Sequence, residues 1–207
     1  MVLVKRSKQP TKQDQLNKEN AMSRKLITFI SLLFLSLSVS ALEIGGISMP
    51  DTLQVEGQDL VLNGAGIRSK FVFDLYVAGL YLDFKESDAK KIITSTKPMA
   101  LRLHIISSKI TPKKMTKGIQ KGFNKATAGN VEPIAPEIRL FLETFSDKIE
   151  VGDIFEFVAT DHGVVILKNS VEQQIIPSQE FKQALFGIWL SDKPVKAKLK
   201  KQLLGLK

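Results

Sequence analysis

The chain has 207 residues, no cysteine, and 30 Lys and Arg against 21 Asp and Glu, a formal net charge of +9. The excess is unevenly placed: residues 193–207 hold six lysines and residues 1–41 hold seven basic against two acidic residues, so residues 42–192 carry 17 basic against 19 acidic. A nucleic-acid-binding body, which carries its positive charge on the folded domain, is excluded, and so is a disulfide-stapled core.

Residues 1–21 are polar and basic, without an apolar period. Met22-Ser23-Arg24-Lys25 then leads into Leu26 to Val39, an apolar run of 14 residues broken only by Thr and Ser, and into Val39-Ser40-Ala41. A short basic region, a short apolar region and small residues at −3 and −1 make a secretory signal peptide over 22–41, cleaved after Ala41. The run is shorter than the ~20 residues a spanning helix needs, so no stable transmembrane segment is expected after cleavage. Without a Cys behind the run, lipoprotein processing is excluded. A periplasmic or otherwise exported protein is expected. Met22 opens a complete signal by itself, which makes 1–21 a polar extension that a start at Met22 would omit. The folded domain is expected over 42–207, long enough for one sizeable core.

Leu42 to Ile47 and Thr52 to Val55 alternate as short strands around a turn at Met49-Pro50-Asp51, and Gly57-Gln58 reverses the chain into Asp59 to Leu62. Asn63-Gly64-Ala65-Gly66 reads as the sharpest turn, two glycines being free to take positive φ. From Ser69 to Leu82 a period of two predicts one long strand, with Tyr76 and Tyr81 on opposite faces, and Gly79 inside it marks a bulge or a close approach. Ser87 to Thr94 reads as a short capped helix and Met99 to Ser107 as a strand, with Arg102 and His104 on one face.

Thr111-Pro112 caps a helix carrying Met115, Ile119, Phe123 and Ala126 on one side and Lys113, Lys114, Lys117, Lys121 and Lys125 on the rest, an amphipathic surface helix. Pro136 opens a second helix with Ile138, Phe141, Leu142 and Phe145 at helical spacing. Ile154 to Ala159 and Gly163 to Leu167 flank the hairpin turn Asp161-His162-Gly163, and Val171 to Ile176 makes a last strand. Ser178 caps a helix through Phe181, Leu185, Ile188 and Trp189, and Ser191-Asp192-Lys193-Pro194 starts a terminal helix closed by Gly205. Strands, helices, strands and helices without a βαβ alternation define an α+β fold, a large antiparallel sheet with helices packed mainly on one face.

Gly64-Ala65-Gly66-Ile67-Arg68, Tyr76-Val77-Ala78-Gly79-Leu80-Tyr81-Leu82-Asp83, and Phe186-Gly187-Ile188-Trp189-Leu190-Ser191-Asp192 with Pro194 and the LKKQLLG ending resemble the chalcone isomerase family, in particular its bacterial chalcone isomerase-like branch, over essentially all of 42–207. The resemblance implies an open-faced β-sandwich with a ligand cleft between sheet and helices. It matches Arg68 to the arginine that holds a phenolate in the plant isomerases and a carboxylate in fatty-acid-binding relatives. Tyr76 matches a threonine in the isomerases and a tyrosine in the fatty-acid binders. The tyrosine and asparagine that the isomerases carry on the first cleft helix are missing, since 111–121 contains neither residue type.

No catalytic residue, metal site or cofactor is therefore expected. A G-x-S-x-G elbow is lacking, and Gly64-Ala65-Gly66 lacks the rest of a dinucleotide fingerprint. Two isolated histidines, His104 and His162, make a poor metal set; His162 belongs to its turn, while His104 is a candidate for the cleft, where it would be an axial ligand were the ligand haem. The reading that fits is a non-catalytic binder of a small amphipathic anion such as a fatty acid. Arg68 and Tyr76 would hold the head group, with His104, Ile119, Phe123, Phe141 and Phe145 around the rest. The alternatives are an intramolecular lyase acting on a conjugated phenolic substrate and an envelope interaction module using the basic last helix.

Overall fold

The computed structural model describes residues 41–206. The signal-peptide reading, Ala41 apart, lies outside them. Strands β1 (Ala41–Ile44) and β2 (Ile47–Pro50) form a hairpin around Gly45-Gly46, whose φ of +59° and +76° only glycine adopts freely. Met49-Pro50 thus closes a strand, and the expected turn there reduces to Asp51. Seven further strands follow in one antiparallel sheet whose spatial order is the chain order. They are β3 (Thr52–Val55), β4 (Gln58–Lys70), β5 (Phe73–Leu82), β6 (Met99–Ile105), β7 (Ile154–Thr160), β8 (Gly163–Lys168) and β9 (Val171–Ile176).

The helices are α1 (Ala89–Thr94), α2 (Pro112–Ala126), α3 (Ala135–Glu143), α4 (Gln179–Leu190) and α5 (Ala197–Leu203). Each of the first two and α4 starts at a side-chain cap: Asp88 accepts from the Lys90 amide at 2.9 Å, Thr111 from Lys114 at 3.3 Å, and Ser178 from Phe181 at 3.1 Å. The α+β expectation holds, with the helix layer on one face of the curled sheet. That face presents Tyr76, Ala78, Leu80, Leu101, Leu103, Phe155 and Phe157, packed with Phe123, Phe141, Phe181 and Leu185 from the helices. The opposite face presents Val77, Tyr81, Ala100, Leu60 and Leu62, covered by Met49 of the β1–β2 hairpin. There the Tyr81 hydroxyl donates to the Pro50 carbonyl at 3.0 Å.

Two features of the strand region differ from the sequence reading. The glycine-rich segment 63–66 lies inside β4 and neither Gly64 nor Gly66 has positive φ. These glycines are small because α5 lies directly on them: a Cβ on Gly64 would come within 2.1 Å of the Gln202 carbonyl oxygen, and one on Gly66 within 2.2 Å of the Gln202 side chain. The expected single strand from 69 to 82 is also two strands, since the chain reverses at Phe71-Val72, a turn with none of the usual turn residues. Gly79 is a close approach, not a bulge: Met49 Cε sits 2.4 Å from where its Cβ would be. The bulges fall at Asn63 in β4 and at Leu75 in β5.

Asn63 is buried and uses its carboxamide fully. It donates to the carbonyls of Glu86 (2.9 Å) and Leu203 (2.8 Å) and accepts from the Glu86 amide (2.9 Å). One bulged residue thereby ties β4 to the loop after β5 and to the C-terminal end of α5, satisfying a carbonyl that the helix end leaves open. The α5 helix begins at Ala197, three residues after the expected Pro194, and buries Leu199, Leu203 and Leu204.

Candidate functional site

Between the helix layer and the β4–β7 part of the sheet lies a cavity of about 600 Å³, inside the ~300–1,000 Å³ typical of small-molecule sites. Its floor is Arg68 of β4, Tyr76 of β5, Leu103 of β6 and Phe157 of β7. Met115, Gly118 and Ile119 of α2 and Ile188 and Trp189 of α4 close it from the helix side, with Phe145 and Val195 from the connections after α3 and α4. The exposed members of the lining, Lys70, Phe71, Phe73, Lys109, Lys114, Lys117 and Lys121, form its rim. No carboxylate lines it among the described residues.

Arg68 and Tyr76 are directly paired across β4 and β5, so their side chains share the cavity face. The Leu75 bulge makes this possible by turning two consecutive residues, Leu75 and Tyr76, toward the cavity. Tyr76 is 8% exposed and its hydroxyl accepts a hydrogen bond of 3.0 Å from the Trp189 indole N–H. With the acceptor side engaged, the phenol keeps its own proton to donate. Burial raises the Tyr76 pKa, against the smaller lowering influences of the Trp189 bond and the Arg68 charge, so the group stays a neutral donor at physiological pH.

The Arg68 guanidinium donates to the Ser69 carbonyl and makes no ion pair among the described residues. Asp74, the nearest carboxylate in the β4–β5 hairpin sequence, accepts from the Ser69 hydroxyl at 2.7 Å. The remaining guanidinium donors have no competing carboxylate in the cavity wall. A half-buried arginine and a neutral phenol, paired on the floor of a largely apolar chamber, can bind an oxyanion.

Of the other expected site residues, Ile119 and Phe145 line the cavity, whereas Phe123 and Phe141 do not. These two stand behind the wall, with ring centroids 6.0 Å apart and each 5.5 Å from Phe181, and hold the helix layer together. Helical spacing gave their side of the helix correctly but could not give their depth. His104 is a correction. It pairs with Val77, a residue of the opposite face, and so lies behind the sheet with Arg102, which pairs with Glu156 at 3.2 Å. Burial and then the Arg102 charge lower its pKa. His162 is exposed in its turn; with Glu56 and Asp161 it brings three potential ligand atoms within 4.8 Å of one another, all on exposed residues outside the cavity.

Trp189 is a site residue that the sequence named only as a position on its helix. Its signals in the sequence were its helical spacing with Phe181, Leu185 and Ile188, which reads as ordinary packing, and its place in the family motif at 186–192, which carries no role for it.

The fold and this chamber define an open-faced antiparallel sandwich with a ligand-sized cavity between its sheet and its helices. The chain belongs to the chalcone isomerase-like family, whose model matches residues 41–205. Among solved structures it is similar to a fatty-acid binding protein of Arabidopsis thaliana, with a TM-score of 0.64 and 14% identity over 80% of this chain and 96% of that one. At that identity the likeness shows the fold. No curated protein matches the chain.

Proposed function

We propose that this protein is a non-catalytic binder of a small amphipathic anion, a fatty acid being the ligand class that fits, with the carboxylate on Arg68 and Tyr76 and the chain against Leu103, Met115, Ile119 and Phe157. The observation that carries it is the pairing of Arg68 with a Trp189-anchored phenol on the floor of an otherwise apolar cavity. The similarity to a fatty-acid binding protein supports it. Cyclisation of a phenolic substrate is disfavoured because α2 turns Lys114, Met115, Gly118 and Ile119 to the cavity, with no tyrosine or asparagine to organise a proton transfer. The Met22–Ala41 signal places the protein outside the cytoplasm in this proposal, and N-terminal sequencing of the mature protein tests that part.

Trp189 is the single tryptophan of the chain and lines the cavity, so its emission reports occupancy directly. Titration with a long-chain fatty acid is expected to change that emission saturably. Arg68→Ala is expected to weaken binding about 10- to 100-fold, the equivalent of the ~1.5–3 kcal/mol of a charge-assisted hydrogen bond, and Tyr76→Phe to weaken it less. Unchanged affinity in Arg68→Ala, with the fold intact, would refute the assignment.

A further inference from the structure

The β4–β5 hairpin ends in residues that neither the turn nor the core requires. Phe71 is 91% exposed and Val72 88%, followed by Phe73 at 48%. Phe71 has φ of +54°, a left-handed conformation that suits Gly or Asn and disfavours a bulky side chain. Turn chemistry, burial and backbone preference all argue for another residue at this place, and such a local conflict marks function more often than folding.

The surroundings say what kind of surface would cover it. Lys70 Nζ lies 6.0 Å from the Phe71 ring centroid and Lys109 Nζ 5.5 Å from that of Phe73. Lys114 reaches back to the Lys109 carbonyl at 3.1 Å, and Lys117 and Lys121 continue the same rim along α2. Apolar side chains projecting from a ring of lysines match the boundary of an anionic bilayer, where the rings enter the acyl edge and the long lysine stems carry their charges back to the phosphates. A three-residue tip is too small to supply the ~800 Å² per partner of a stable protein interface.

We propose that the Phe71-Val72-Phe73 tip and the lysine rim dock the protein on an anionic phospholipid surface, which brings the cavity mouth to the membrane. The inference deepens the ligand-site reading by giving the ligand a source, although docking needs no ligand to occur.

The chain has no cysteine, so Val72→Cys carries one environment-sensitive fluorophore. Val171→Cys, 61% exposed at the first position of β9, serves as its control. With the full-length chain and vesicles of phosphatidylglycerol and phosphatidylcholine, emission at position 72 is expected to rise severalfold and shift to the blue, with no change at 171. Pure phosphatidylcholine, high salt or Lys114→Glu with Lys117→Glu should abolish the response.

An unchanged probe at 72 on anionic vesicles, or an equal response on both vesicle types, overturns the proposal. So does a response that follows protein concentration without vesicles, which would assign the tip to a second copy of the chain. Val72→Asp, outside the cavity lining, should lose vesicle binding and keep the Trp189 response to fatty acid in vesicle-free buffer. Loss of that response in the unsubstituted protein would refute the ligand reading and leave docking standing.

Discussion

The Tyr76 hydroxyl accepts from the Trp189 indole and so leaves its own proton to the cavity, while elsewhere in the helix layer a different polar group is committed to structure. Lys182 of α4 is 3% exposed, and its ammonium donates to the carbonyls of Ile93 (3.0 Å) and Ser95 at the C-terminal end of α1, where a cation also meets the negative end of the helix dipole. Burial lowers its pKa from the ordinary 10.5 to about 8. Below about pH 8 the amine is charged in both folded and unfolded chains and its effect on stability is constant. Between about 8 and 10.5 the folded chain has released a proton that the unfolded chain still holds, so stability rises with pH. Urea unfolding at pH 7.5 and at pH 9.5, where free tyrosine is still largely neutral, is expected to show that rise, and Lys182→Met is expected to flatten it. A wild-type curve no steeper than that of the variant would show that Lys182 does not titrate in this window.

Strand β4 and helix α5 come into close contact at two glycines of the strand. Because the nearest atom to a Cβ on Gly64 is backbone and that on Gly66 is a side chain, Gly64→Ala is expected to destabilise the protein by ~1–3 kcal/mol and Gly66→Ala by less, as read from denaturant midpoints. The same contact explains what the sequence could show and what it could not. Capped helices and alternating strands announce themselves over short windows, so the α+β class, the Thr111 and Ser178 caps and the amphipathic α2 were legible. Asn63-Gly64-Ala65-Gly66 has the composition of a turn, and only the packing of a helix some 140 residues later makes it a strand. The reversal at Phe71-Val72 has no turn composition at all and disappeared into a run of apparent alternation. Arg68 and Tyr76 came from the family resemblance and do meet on the cavity floor. A period of two grouped His104 with Arg102 correctly, but nothing local says which face of a sheet the helices will cover.

Across the whole molecule, one face of the sheet is covered by helices and the other, in part, by the β1–β2 hairpin, and the charge surplus of the last residues sits on a helix that the fold itself uses. Among the described residues no helix is long and apolar enough to cross a membrane. Burial of Leu199, Leu203 and Leu204, at ~1.5–3 kcal/mol each, is comparable with the ~5–15 kcal/mol that stabilises a typical domain. Removing residues 197–207 is therefore expected to abolish cooperative thermal unfolding followed by circular dichroism. A cooperative transition that survives the deletion, with loss of a co-purifying partner, would favour the interaction-module reading instead. The bond from Asn63 to Leu203 also orders events in time. Folding during synthesis proceeds from the N-terminal side as segments emerge, yet β4 waits for the last helix to cover it. The growing chain thus keeps this side of β4 open until residues 197–204 have been made and packed on it.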